Sequence, residues 1–313
     1  MPDWLVSWLL APLAILASTR SDYYLPSLCA ALALGGFVIL RRGGRLASLF
    51  PRAVYGHPSA RLDLAIWLLN TLVFGRVIAL AVGTATGTLL GPSLERLAGH
   101  GWLGDAWATR ILYTLAVFCA ADGAISLCHF LQHRLPLLWE FHKVHHSAQV
   151  LVPITGDRQH PIDLVLSGIL CGWSVGAVDA VFAWATGGSV APLAVGGRNA
   201  VDLLCLTFLL HLRHTHIWVS WGPRLGRWVM SPAHHQIHHS ADPRHHGRNF
   251  GKFLAVWDRL LGTLHVPARQ PEPLAFGLGD GEDEAFETLW GCYVLPFRRA
   301  LALATAPRPV TAS

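Results

Sequence analysis

Apolar residues run almost unbroken through positions 24–40, 64–90, 111–131, 164–185 and 190–210. Each run is about long enough to cross or nearly cross a bilayer as a helix. The first ends in Arg41, Arg42 and Arg45, which assigns that end to the cytoplasmic side by the positive-inside rule. Residues 64–90, interrupted by Arg76 and by glycines, return through the bilayer. The stretch GPSLERLAGHGWLGDAWATR then reads as an outside loop with Trp102 and Trp107 at the interface. Residues 111–131 come back to the cytoplasmic side, and 164–185 with 190–210, joined at Gly187-Gly188, leave it and return. From Ile217 the chain turns polar and aromatic, broken by Pro223, Pro232 and Pro243, which predicts a cytosolic cap. The start, MPDWLVSWLLAPLAILAS, is apolar but carries Asp3 and no basic n-region, so it reads as an uncleaved membrane segment. The predicted class is all-α: an integral membrane helical bundle of about four or more transmembrane helices with a cytosolic helical cap.

Composition agrees with that pattern. Hydrophobic residues make up 52% of the chain and charged residues only 14%, against about 25% in soluble domains, and the mean hydropathy is +0.40. The net charge of +5 comes from arginines dispersed at segment ends. A basic surface meeting anionic lipid head groups fits this better than nucleic acid does. Six cysteines without a CxxC, most of them in apolar stretches, exclude a disulfide framework, an iron–sulfur cluster and a thiolate zinc site. The acidic run GDGEDE at 279–284 reads as a solvated loop.

The histidines are the unusual feature. Fifteen of the eighteen fall between positions 129 and 246, and the predicted topology brings all their clusters to one membrane face. His129 and His133 are four apart, on one face of a helix. His142, His145 and His146 have i, i+3, i+4 spacing, as do His235, His238 and His239, so on a helix each triplet can aim three rings at a common point. Neutral imidazole is a good ligand for iron or zinc. A single zinc takes three or four protein ligands, so eight or more candidate imidazoles imply two metal ions. Neither the HExxH of zinc peptidases nor the Glu-x-x-His pairs of soluble carboxylate di-iron bundles is present. The acidic residues near the clusters are Asp122, Glu140, Asp157 and Asp242. What remains is an all-histidine dimetal site against a membrane. His234, off the triplet spacing, reads as structural, and His245 and His246, in a Pro- and Gly-flanked loop, as solvent-exposed.

The order HFLQH, HKVHH, then HHQIHH followed by RNFG and WDRLLGT resembles the fatty acid hydroxylase and sterol desaturase superfamily of integral membrane di-iron enzymes. The family's HxxxH, HxxHH and second HxxHH, with an isolated histidine at a membrane-helix end, fall on His129 and His133; on His142, His145 and His146; on His235, His238 and His239; and on His214. Several motifs occur in the same order with compatible gaps, from about residue 118 to 266. His160, in DRQHP, and His211, one turn before His214, are the next ligand candidates, with His216 below His214. Asp122, seven residues before His129, is a candidate to accept that ring's second N–H, and Arg158 and Asn249 are candidates to hydrogen-bond near the metals. The resemblance implies two iron ions and O2 as co-substrate. It also implies oxidation of an unactivated C–H bond of a lipid or sterol-like molecule, to an alcohol or to a double bond. Two electrons per turnover then come from a separate cytochrome b5-like or ferredoxin-type donor, since no haem domain or flavin fingerprint is present. On this basis residues 1–110 are N-terminal membrane helices and loops, 111–266 the catalytic domain, and 267–313 a C-terminal cytosolic segment and tail. Two rival readings differ in what they require. A metal transporter needs ionisable residues inside several spans, whereas here the histidines crowd at one end. A membrane zinc hydrolase needs zinc and no O2.

Overall fold

The computed structural model describes Leu10 and residues 13–96, 101–188 and 190–306. Most of the apolar N-terminal segment, positions 97–100 of the expected outside loop, and the polar tail from 307 lie outside the described residues. Helix α1 (Leu25–Arg41) starts with Pro26 in its first turn and ends at a basic residue. Helices α2 (Pro58–Leu69) and α3 (Gly75–Arg96) are joined by a π-turn at Asn70–Phe74 and bent by 61°. At that turn the Asn70 amide donates to the Gln159 carbonyl and accepts from the Tyr293 hydroxyl, so side-chain contacts hold a geometry that helix propensity alone disfavours.

The centre consists of α4 (Trp107–Arg134), α5 (Pro136–His146) and α6 (Pro161–Thr186). Proline at 136 drives Leu135 out of the α region, to φ −100° and ψ 113°, and so separates α5 from α4. Helix α6 is started by His160, whose Nδ1 accepts the Ile162 N–H, and stopped by Gly187 at φ +65°. It packs along both α4 and α3. A Cβ on Gly168 would come within 2.7 Å of Val82, and one on Gly172 within 2.3 Å of Thr86. The close approach of α6 to α3 therefore needs glycine at both positions.

Among the described residues, α4 and α6 are long and apolar enough to cross a membrane, and the bent α2–α3 pair makes a third if counted as one span. That is fewer than the four or more expected from hydropathy. The 190–210 run accounts for part of the difference. It begins as a hairpin, β1 (Ala194–Val195) paired antiparallel with β2 (Arg198–Asn199), turning at Gly196 and Gly197 with positive φ. Only then does the short helix α7 (Ala200–Cys205) follow, N-capped by the Asn199 side chain and continued by a π-turn at Leu206–Leu210. Apolar composition is blind to a turn set by two glycines and an Asn cap.

Residues 217–306 are mostly irregular, with short helices α8 (Pro232–His238), α9 (Val256–Leu261), α10 (Leu289–Tyr293) and α11 (Leu295–Thr305). In α8, Ser231 is the N-cap and His234 Nδ1 accepts the Ser231 N–H, a capping box with imidazole in the usual place of Glu. The buried cluster of Ile66, Val144, Phe286 and Cys292 ties α2, α5 and α10 together, while Phe297 of α11 packs on Phe141 of α5 with ring centroids 5.2 Å apart. Helix α5 is therefore clamped by segments from both ends of the chain. All six cysteines are free.

Candidate metal centre

Four helical segments deliver their C-terminal ends to one place. His129 and His133 sit in the last turns of α4, His142, His145 and His146 end α5, His214 follows the π-turn after α7, and His235, His238 and His239 end α8. Helix C-termini carry partial negative charge, so their convergence favours a cation. The rings divide into two groups. One nitrogen from each of His129, His133, His142, His146 and His238 lies within 4.8 Å of the others, and the same holds for His145, His214, His235 and His239. The groups adjoin, with the His146 and His239 rings stacked 4.5 Å apart.

The spacing permits each triplet to serve one point, but the structure divides each between two. In α5, His142 and His146, four apart and on one face, belong to the first cage, whereas His145 points to the second. In α8 the assignment is reversed: His235 and His239 join the second cage and His238 the first. The two HxxHH motifs thus interlock, each holding both cages at a fixed separation.

The outward ring nitrogens set what the inward ones can do. His129 Nδ1 lies 2.9 Å from the Phe250 carbonyl and His238 Nδ1 2.7 Å from that of Arg248. A carbonyl only accepts, so Nδ1 carries the proton and Nε2 offers its lone pair to the first cage. His142 Nδ1 is 3.4 Å from an Asp163 carboxylate oxygen. His235 differs, because the buried Arg213 donates to its Nδ1 at 2.7 Å. With Nδ1 accepting, the proton of neutral His235 is on Nε2, which lies 2.8 Å from His214 Nε2. Burial holds His145, His146, His214, His235 and His239 well below the usual imidazole range and lowers His238 to about 3. These rings are neutral near pH 7, as a ligand requires.

The donor set fits metal ions. His129 Nε2, His133 Nε2, both nitrogens of His142, His145 Nδ1 and His239 Nδ1 are buried without a hydrogen-bond partner. Ring nitrogens also face one another at 3.1 Å between His146 and His238 and between His235 and His239. Buried ring nitrogens left without a partner are costly unless a cation lies among them. A cavity of about 270 Å³ reaches His129, His142, His145, His214 and His235, and so touches both cages. A second, of about 220 Å³, reaches His133, His146 and His238 from the side of Arg134 and His246.

The other sequence candidates occupy different positions. The structure brings neither His160 nor His211 into a cage. Both His160 nitrogens are engaged, one capping α6 and the other 3.2 Å from the Tyr293 carbonyl. His211 lies in the wall of the larger cavity. Asp122 does not meet His129, whose Nδ1 is already committed to Phe250. Its carboxylate instead accepts from the backbone N–H groups of Phe253 and Leu254 and from Trp257 Nε1. It fixes the loop that carries the Phe250 carbonyl, and so steers His129 indirectly. Arg158 spans Val144, Asp63, Ser147 and Phe286, locking the end of α5. Asn249, at φ +61°, ties His234 to His265 through its side chain. His234 is structural, as expected, with Ser231 and Gly226 as partners. His245 is not exposed as its flanking residues suggested: it is buried and packs on His265. Three residues escaped the sequence reading. Asp163 carries only the weak signal of an acid in the first turn of α6, Arg213 lies hidden between two histidines, and Asp258 of WDRLLGT holds the Phe250 and Gly251 N–H groups.

Residues 114–263 match the fatty acid hydroxylase family. The chain is 32% identical over 202 residues to the ornithine lipid hydroxylase of Rhizobium tropici, covering 62% of this chain and 55% of that protein. It is 26% identical over 162 residues to the alkylglycerol monooxygenase of Xenopus tropicalis, covering 51% of this chain and 32% of the other. The human cholesterol 25-hydroxylase is 28% identical over 164 residues, 51% of this chain and 54% of that one. The chain thus spans about half the length of the first and third relatives and about a third of the second. No solved structure matches it.

Proposed function

We propose, from the match of residues 114–263 to the fatty acid hydroxylase family and from the two histidine cages, that this chain is a membrane-bound, O2-dependent di-iron oxidoreductase that hydroxylates a C–H bond of a lipid. The observation that carries this reading is the division of nine histidines into adjoining groups of five and four, with one cavity touching both. Relatives named for an ornithine lipid, an alkylglycerol and a sterol support a lipid as substrate. His129, His133, His142, His146 and His238 would hold one ion and His145, His214, His235 and His239 the other. Iron there would supply O2 activation and removal of hydrogen from an unactivated carbon.

The protein's own share is to orient and to exclude. The Phe250 and Arg248 carbonyls keep Nε2 of His129 and His238 free of protons, and Arg213 fixes the orientation of the His235 ring. Burial of the cages keeps bulk water away from the reacting carbon. The overall reaction takes a C–H bond, O2, two electrons and two protons to an alcohol and water. A separate electron donor docking on the cytoplasmic side, where we place the histidine clusters, supplies the electrons. Residues 111–266 form the catalytic unit in this reading, with 1–110 and 267–313 packed around it.

Anaerobic purification with metal analysis, followed by exposure to lipids under 18O2, tests the proposal. Two irons per chain and one labelled oxygen in a lipid are expected. Zinc alone, with lipid turnover that needs no O2, would overturn it and favour a hydrolase.

A further inference from the structure

The larger cavity has a polar wall that its cages do not use. Away from the histidine ligands its polar lining includes Asp22, Tyr23, Asp157, His211 and Lys252, at the junction of the segment before α1, the turn before α6 and the loop before α9, while Ile125, Pro153, Leu164 and Leu210 supply an apolar part. The Tyr23 hydroxyl donates to Asp157, and among the described residues no cation pairs with that carboxylate. Desolvation, with Asp22 nearby, raises Asp157 to about 7, as expected of an acid lacking a counter-charge. Lys252 Nζ rests 4.9 Å from the Phe253 ring and makes no ion pair among the described residues. Asp22, by contrast, is already bridged by Arg198 at 2.7 Å. His211 is 5% exposed, and its Nε2 has no hydrogen-bond partner. The buried Arg213 Nε on the same wall also has none.

A hydrocarbon chain filling this space would leave Asp157 without a counter-charge and His211 Nε2 and Arg213 Nε without hydrogen-bond partners, which is unfavourable for each of them. The volume of about 270 Å³ is also at the small end for a ligand pocket, suited to a head group and its nearest carbons. The wall reaches the cages directly, since Gly156, the neighbour of Asp157, lies against the His214 ring. Resting on the lipid hydroxylase reading, we propose that this cavity seats a zwitterionic lipid head group. Its ammonium lies against Asp157 and its anionic oxygen against Lys252, so that the C–H bond oxidised belongs to the head group or the carbons next to it.

The test uses the full chain in nanodiscs with three oleoyl-bearing probes: dioleoylphosphatidylethanolamine, N-oleoyl-lysine and dioleoylglycerol. Native mass spectrometry reads competitive binding, and tandem mass spectrometry under 18O2 reads where any oxygen enters. Both zwitterions are expected to bind at least about tenfold more tightly than dioleoylglycerol. Asp157→Asn and Lys252→Gln should each reduce that ratio severalfold, and the wild-type comparison stands even if a variant fails to fold. Equal binding of dioleoylglycerol, or label confined to the acyl chain of the neutral lipid, overturns the head-group assignment and leaves the hydroxylase reading intact. A zwitterion preference without any oxygen incorporation supports the head-group site and instead sinks the hydroxylase.

Discussion

Replacing Asp163 by Asn removes a charge behind a single ligand, and its two consequences have opposite signs. The carboxylate is 1% exposed, neither oxygen has a hydrogen-bond partner, and one lies 3.4 Å from His142 Nδ1. Two full charges at that distance in an effective dielectric of about 20 would interact by about 5 kcal/mol. A neutral imidazole polarised by a bound cation feels a fraction of this. Loss of such a partner behind a ligating histidine lowers metal affinity about 10–100-fold, or about 1.4–2.7 kcal/mol. Without metal the same substitution deletes an unpaired buried charge, which folding otherwise has to desolvate. Asp163→Asn should therefore release one metal ion per chain at a chelator concentration about 10–100-fold below that required by the wild type. The second cage, which lacks His142, should keep its ion, and the melting temperature of the metal-free protein should hold or rise. Metal content after graded chelation, paired with thermal unfolding of the stripped protein, reads both effects. Wild-type retention of both ions, or equal loss from both cages, would refute the assignment of Asp163 to His142.

Three further predictions follow from the same geometry. His145→Ala should empty the four-histidine cage and His146→Ala weaken the five-histidine one, each abolishing turnover while the chain still inserts. His246→Ala, exposed at the smaller cavity, should leave metal content and turnover near wild type. Arg158→Met strands the buried Asp63 carboxylate and the Val144 and Phe286 carbonyls, so a loss of about 3–5 kcal/mol should appear as poor yield and a lower melting temperature, partly restored by adding Asp63→Asn. The metal-free protein should be acid-labile. The buried histidines have folded pKa values below their unfolded value, so their contribution is complete above about pH 6.5 and is lost as pH falls through the window toward about 3, the value for His238. At pH 5.5 each such ring contributes about 1.4 kcal/mol less than at neutral pH, and a melting temperature flat from pH 7 to 5 would contradict this.

The sequence by itself determined the membrane character, the helical class and the identity of the nine clustered histidines. These depend on signals local to a few turns of chain: apolar run length, prolines at helix starts, and i, i+3, i+4 spacing. His129 and His133 need only one helix to be recognised as neighbours. The tertiary structure alone decided how the clusters are shared. Residues one position apart on a helix differ by about 100°, so whether His145 and His146 serve one point or two depends on where α8 and the His214 turn stand relative to α5. The same holds for what lies behind the rings. The Phe250 and Arg248 carbonyls, Asp163 and Arg213 reach their histidines across 10 to 121 positions of sequence, and no local pattern encodes such a contact. Asp122 had the right spacing to meet His129 but turned to the 253–257 loop, because three N–H donors there outbid a single ring already hydrogen-bonded to a carbonyl. The hairpin at 194–199 was hidden for the opposite reason: its residues are apolar enough for a membrane, and only the positive φ of Gly196 and Gly197 shows that the chain turns before it can span one.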